Sequence, residues 1–323
     1  MTQQEIQHPS RRLDNAHPDV AVIGGGFAGT AAAITLARAH RKVVLIDAGQ
    51  PRNRFSEHAH GILGMDGVSP MELLDKGHAE FTSFGGSLVR ATADALSTTD
   101  GGWLTTLSTG QSLRSRHVVV ATGITDRLPD VPGLQDLWGT RVFHCPYCHG
   151  YEVRGQRVAL VGGTNPPFTT NIAKLLSKWT DQLTFYPNGL SLDDANRHIL
   201  VRLGATINDA PVTGIEPDRS SETGVLVRTP DATTTFDACF TGPDFLPNDA
   251  LLKQAGCATV DGTPDGWVRV EDGGTSISGL WAAGNVVSSP DQVSQAIGTG
   301  AAVGIKVDQA ILAEDIAALN SAR

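Results

Sequence analysis

The stretch from Asp19 to Asp47 constrains this chain more than any other. A β-branched apolar run, Asp19 to Ile23, leads into Gly24-Gly25-Gly26-Phe27-Ala28-Gly29. An alanine-rich helical segment follows from Thr30 to Ala39, then a second apolar run, Lys42 to Ile46, ending on Asp47. Strand, helix and strand at these lengths form a β-α-β unit. Gly24, Gly26 and Gly29 supply G-x-G-x-x-G at its first turn: a tight turn, room for a pyrophosphate against bare backbone, and close packing of helix on strand, with the helix N-terminus facing the phosphates. Asp47 stands where the motif places an acid to accept a hydrogen bond from a ribose hydroxyl. Glycines alone are weak evidence, but strand, spacing, helix and terminal acid agree on a dinucleotide.

Two further apolar runs end as strands beside a ligand do: Arg116 to Ala121, entering Ala121-Thr122-Gly123, and Gly279 to Ala283, entering Gly284-Asn285-Val286. Between them, Arg157 to Val161 opens a second β-α-β pattern, with Gly162-Gly163, a helix from about Thr169 to Trp179, and a strand from Gln182 to Tyr186. The expected fold is α/β, with two nucleotide-binding domains, the second inserted in the first. The expected boundaries are a tail over 1–18, a dinucleotide domain over 19–125 and 242–323, and the insert over 126–241. The Thr-, Ser- and Asp-rich stretch from Thr213 to Asp237 reads as surface hairpins.

The chain's 323 residues are enough for two cores. With 34 acidic against 25 basic residues and no basic run, nothing marks a nucleic-acid or anionic-membrane surface. No window approaches the roughly 18 unbroken apolar residues of a membrane helix, and Met1 to Asp19 has no apolar core of the signal-peptide kind. A cytoplasmic protein acting on a small molecule or a protein thiol is expected.

Only four cysteines occur, too few for a disulfide-stapled fold of this size. Cys239 and Cys257 lie in mixed apolar surroundings and read as inert. Cys145 and Cys148, in Phe143-His144-Cys145-Pro146-Tyr147-Cys148-His149-Gly150-Tyr151-Glu152, are three apart, a spacing at which two thiols close a reversible ring and exchange two electrons. If Cys145 begins a helical turn, Pro146 fits the first helical position. Half of a zinc site is the competing reading, but Cys239 and Cys257 form no second knuckle. A purely structural pair is the other.

Taken together, these motifs resemble the low-molecular-weight thioredoxin reductase superfamily over nearly the whole chain: G-x-G-x-x-G, A-T-G at 121 to 123, C-x-x-C opening the insert, and A-G-N-V at 283 to 286 where that family has a Gly-Asp pair. The resemblance implies FAD, a homodimer, and a C-terminal helix, Gln292 to Val307 with Val293 in its first turn, that runs past the flavin. It also assigns Cys148 to the flavin and Cys145 to the substrate. Asn285 would replace the aspartate on the ribityl chain, since an amide makes similar hydrogen bonds.

Two departures set the chain apart. Thioredoxin reductases follow the second cysteine with an aspartate, whereas here stands His149, an imidazole able to take a proton from a thiol near neutral pH; a satisfied structural histidine is the plain alternative. Where reductases read V-G-G-G-x-x-A, this chain has Val161-Gly162-Gly163-Thr164-Asn165-Pro166-Pro167. Thr164 puts a side chain where backbone should meet the pyrophosphate, and Pro167 replaces the small residue that packs helix on strand. After the second strand come Tyr186-Pro187-Asn188-Gly189, with neither the arginines that hold a 2'-phosphate nor an acid for a ribose.

The segment C-P-Y-C-H-G-Y-E closely resembles the dithiol oxidases that make the disulfides of gliotoxin, holomycin and depsipeptide natural products. That implies a small dithiol oxidised to its cyclic disulfide through Cys145, Cys148 and flavin, with O2 as acceptor and H2O2 as product. The rival readings are a reductase fed by ferredoxin or another flavoprotein, an NADPH-dependent reductase with an unusual cofactor pose, and a non-catalytic flavin and thiol redox sensor. His58-Ala59-His60-Gly61-Ile62-Leu63-Gly64, after the first β-α-β unit, could form part of a flavin or substrate mouth.

Overall fold

A computed structural model describes residues 17–321; all but the last two residues of the expected tail over 1–18 lie outside them. The chain divides into two compact units. Among the described residues the first comprises 17–50, Leu74–Gly123 and 248–321; the second comprises Pro51–Leu73 and Ile124–Pro247.

In the first unit five short parallel strands lie in the order Leu280–Ala282, His117–Val120, Val20–Ile23, Val43–Asp47, Ser87–Arg90. Their central members are buried at every position, so they read as unbroken apolar runs, as parallel strands covered on both faces do. The helix Phe27–Arg38 covers one face. It begins three residues before the expected Thr30, because Phe27 to Gly29 already belong to it.

The C-terminal helix spans Val293–Ser321 and runs well past the expected end at Val307. By length and composition it is apolar enough to cross a membrane, which was not expected. Its Val303, Val307 and Ile311 nevertheless sit in the core with Ala28, Ala33 and Leu36 of the first helix. The two helices approach closely through glycine. A Cβ on Gly300 would run into the Ala28 carbonyl, and one on Gly304 would stand 2.9 Å from the Ala32 oxygen.

The second unit repeats the plan. Its parallel sheet has the order Thr206–Ile207, Leu183–Tyr186, Val158–Val161, Ala238–Thr241, Val142–Phe143. The Thr- and Ser-rich stretch forms a three-stranded antiparallel sheet of Gly214–Pro217, Val225–Arg228 and Thr233–Phe236. Residues 51–73, expected in the dinucleotide domain, belong instead to this second unit. The reason is physical: the Arg52 guanidinium forms a two-pronged ion pair with Asp126, Nε to Oδ2 at 2.8 Å and Nη2 to Oδ1 at 2.6 Å, and His60 lies 3.8 Å from the Glu152 carboxylate.

Candidate active site

Strand ends position the first set of candidate residues. Within the first unit, Gly24 follows Val20–Ile23, Asp47 closes Val43–Asp47, Ala121-Thr122-Gly123 follow His117–Val120, and Gly284-Asn285 follow Leu280–Ala282. They therefore share the carboxyl edge of one parallel sheet, where open α/β folds bind ligands. The glycines divide the work. Gly24 has φ +104°, and a Cβ on it would collide with the Ala121 carbonyl; a Cβ on Gly29 would collide with the Gly24 carbonyl. Gly26 faces open space, with nothing within 4 Å of a Cβ placed there. It is the N-cap of the first helix, and no side chain caps that end. Bare backbone, open space and an uncapped helix start fit a pyrophosphate.

Asp47 is buried, and its carboxylate is already engaged. Oδ1 accepts from the Gly25 amide at 3.2 Å and the Gly49 amide at 3.1 Å, and Oδ2 pairs with Arg90. His78, unremarked in the sequence, contacts the Gly25 carbonyl through Nε2 at 2.9 Å, and the Thr30 hydroxyl donates to the same oxygen at 3.0 Å. Both peptide groups of Gly25 are thus pinned before any ligand arrives. Thr122 is tied down as well: its hydroxyl donates to the Asn248 carbonyl at 2.7 Å, and its carbonyl accepts from the Asn248 side-chain amide at 3.0 Å. A Cβ on Gly284 (φ +72°) would stand 2.6 Å from the Cβ of Ala28, so the expected Ala28 and Gly284 meet. The Asn285 side chain turns back on its own loop, accepting from the Asp291 amide at 2.7 Å. The long helix begins at Val293, and the Gln292 amide donates to the Gln295 side chain at 2.8 Å.

The second set lies in the second unit. Cys145 and Cys148 form a disulfide, with their Cα atoms 5.3 Å apart. Cys145 is the N-cap of a single helical turn, Pro146–His149, with Pro146 first. Its carbonyl accepts from the Cys148 and His149 amides, both at 3.1 Å, so the ring closes over one turn of backbone. His149 ends that turn and stacks on Phe143, with ring centroids 4.2 Å apart. Burial, and then the nearby His60, push its pKa down to about 4. Near neutral pH the imidazole is therefore unprotonated and able to accept a proton, but it holds that proton weakly. Tyr147 and Tyr151 stand exposed beside the disulfide, Tyr147 edge-on to Trp179 at 6.3 Å. Cys239 is buried with its thiol pushed up to about 12 by desolvation, and Cys257 is buried in the first unit.

The profile of the pyridine nucleotide-disulphide oxidoreductase family matches residues 18–300, which take in both parallel sheets and the disulfide. The chain belongs to that family. Among curated relatives, "Thioredoxin reductase tcpT" of Claviceps purpurea is 28% identical, covering 92% of this chain and 95% of that one. "Thioredoxin reductase sirT" of Leptosphaeria maculans is also 28% identical, covering 93% and 96%. Among solved structures, the crystal structure of HlmI superposes with a TM-score of 0.88 at 37% identity, covering 95% of this chain and 96% of that one. The fold is thioredoxin reductase-like, and the protein is an FAD-dependent disulfide oxidoreductase.

For a member of this family, the second nucleotide motif is closed. In the second unit the helix Pro166–Leu176 has prolines at its first two positions, so two of its first-turn amides do not exist. The next amide, Phe168 N–H, donates to the side chain of the N-cap Asn165 at 3.2 Å. The Thr164 hydroxyl bridges strand ends, donating to the Arg127 carbonyl at 3.2 Å and accepting from the Asp244 amide at 3.1 Å. A Cβ on Gly162 or Gly163 would strike the Pro187 or Gly242 carbonyl, so these glycines serve packing. The first helix offers an uncapped N-terminus; this one offers none.

Proposed function

We propose that the protein is a dithiol oxidase that converts a small-molecule dithiol to its cyclic disulfide, with O2 as the electron acceptor and H2O2 as the product. The closed N-terminus of Pro166–Leu176 carries this reading, because two prolines and the Asn165 cap leave no free first-turn amide of that helix for the pyrophosphate of a nicotinamide donor. A disulfide oxidoreductase without that donor runs in the oxidising direction or draws its electrons from another protein. The resemblance of Cys145-Pro146-Tyr147-Cys148-His149-Gly150-Tyr151-Glu152 to the dithiol oxidases of gliotoxin-type natural products supports the same choice. The acidic balance of 34 acidic against 25 basic residues, with no run of basic residues in the sequence, weighs against a ferredoxin-fed reductase.

In this reading a substrate thiolate attacks Sγ of Cys145, the Cys145–Cys148 bond breaks, and Cys148 leaves as a thiolate. The second substrate thiolate attacks the substrate sulfur of the mixed disulfide and releases Cys145. The substrate is thereby oxidised by two electrons, and the protein pair is reduced by two. His149, neutral at working pH, receives a proton from a substrate thiol. The thiolate that forms on the neighbouring Cys148 favours the imidazolium and offsets the burial that disfavours it. Gly24, Gly26, Ala28, Gly29, Asp47, Ala121–Gly123, Gly284, Asn285, Gln292 and Val293 would hold FAD, which would supply the two-electron acceptor that passes its electrons on to O2. A cytoplasmic homodimer belongs to the same proposal.

Cys148→Ser tests the assignment. The variant is expected to bind FAD normally and to lose peroxide production with a small dithiol such as dithiothreitol. Retained turnover overturns it.

A further inference from the structure

Residue 144 lies immediately before the redox pair, and its side chain is held from several directions. His144 stacks on Trp138 with centroids 5.5 Å apart, meets Phe245 edge-on at 6.1 Å, and lies tilted against Phe168 at 6.5 Å. Arg52 Nη2 lies 2.9 Å from His144 Nε2. A guanidinium only donates, so Nε2 must accept and the imidazole is neutral, with its proton on Nδ1. The same Arg52 nitrogen lies 2.6 Å from Asp126 Oδ1, while Nε holds Oδ2, and the guanidinium sits over the Phe245 ring at 5.2 Å. The Asp126 side chain is only 6% exposed and that of Arg52 20%, so this is a braced interaction and not a surface pair. Burial and the Arg52 charge both hold the His144 pKa well below its ordinary value, in keeping with the neutral ring.

The mechanism above uses none of these groups. We infer that Arg52, braced by Asp126, is a positioning residue for the disulfide: by holding His144 through Nε2 it fixes the backbone entering Cys145, and so sets how readily Cys145 and Cys148 close their ring. When the ring is oxidised its covalent bond keeps the two sulfurs together. In the reduced state the short turn Pro146–His149 and the clamped His144 do so. Releasing His144 therefore lowers the effective concentration of one thiol toward the other in the dithiol and leaves the closed form less favoured.

The inference rests on Cys145–Cys148 being the working pair, and the test separates the two. FAD-loaded wild type, Arg52→Met and His144→Phe are equilibrated anaerobically in dithiothreitol redox buffers, quenched with an alkylating reagent, and the fraction of disulfide read by mass spectrometry. His144→Phe keeps an aromatic ring among Trp138, Phe168 and Phe245 and keeps the Arg52 charge, but removes the acceptor. Both variants are expected to shift the equilibrium about tenfold toward the dithiol, a midpoint about 30 mV more oxidising. Global stability does not enter this readout, and if Arg52→Met fails to fold, His144→Phe decides. A shift of less than twofold in His144→Phe overturns the inference; with Arg52→Met shifted alone, the effect is one of charge and not of position. If the wild-type pair never equilibrates with the dithiol, the redox reading falls, and this inference falls with it.

Discussion

In the oxidised protein His149 is held unprotonated by its surroundings. Burial against Phe143, and then the charge of His60, bring its pKa from the ordinary 6.5 to about 4. That disfavours the imidazolium by about 3 kcal/mol, at 1.36 kcal/mol per unit. At pH 7 about one His149 in a thousand would carry a proton, against about one in four for an unperturbed imidazole. The perturbation is acid, and the assay is a pH titration of the histidine ring carbon–hydrogen signals by NMR in the FAD-loaded oxidised protein, with His149→Gln to assign the resonance. The linkage sign follows from proton uptake. The unfolded chain binds a proton on this residue near pH 6.5 and the folded chain only near 4, so the folded state loses stability as pH falls through that window and is unaffected by this group above it. His149→Gln is expected to abolish that part of the acid sensitivity. A midpoint near 6.5 for the assigned resonance would refute the reasoning, since burial would then exact no penalty on the charged form.

Removing the second cause should move the same titration upward: His60→Asn takes away a neighbouring positive charge and is expected to raise the His149 midpoint, and a fall or no change in the NMR titration contradicts the electrostatic account. Gly29→Ala places a methyl group against the Gly24 carbonyl, an overpacking of about 1–3 kcal/mol; equilibrium dialysis should show weakened FAD binding, whereas Gly26→Ala, whose Cβ meets nothing in the protein, should leave thermal stability without FAD unchanged. Alkylation of the native, reduced protein at pH 8 should modify Cys145 and Cys148 and spare Cys239, whose thiol sits at about 12 in the core, until the chain is denatured.

Much of this was legible in the residues because the signals were local. The runs at 19–23 and 42–47 alternate with a helix whose glycines sit at fixed offsets, and Cys145 precedes a proline that suits the first helical position. What stayed hidden depends on contacts distant in sequence. Residues 51–73 join the second unit through Arg52 on Asp126 and His60 beside Glu152, pairs that no local pattern announces. His144 reads as a plain neighbour of the cysteine until Arg52 and three aromatic rings meet it. The proton affinity of His149 is set by packing on Phe143, which spacing does not reveal, and the side chain of Asn285 is claimed by the Asp291 backbone. The prolines at 166 and 167 were visible as departures, but only the helix boundary shows that both fall on its first two positions.

The most direct test of the central claim is an anaerobic visible-absorption titration of the FAD-loaded protein, with NADPH and with dithiothreitol in separate cuvettes, followed by admission of air. The closed helix start at Pro166 and Pro167 predicts that NADPH leaves the flavin yellow, that the dithiol bleaches it, and that air restores the colour with formation of peroxide. Prompt bleaching by NADPH would contradict the account and return the protein to the nicotinamide-dependent reductases.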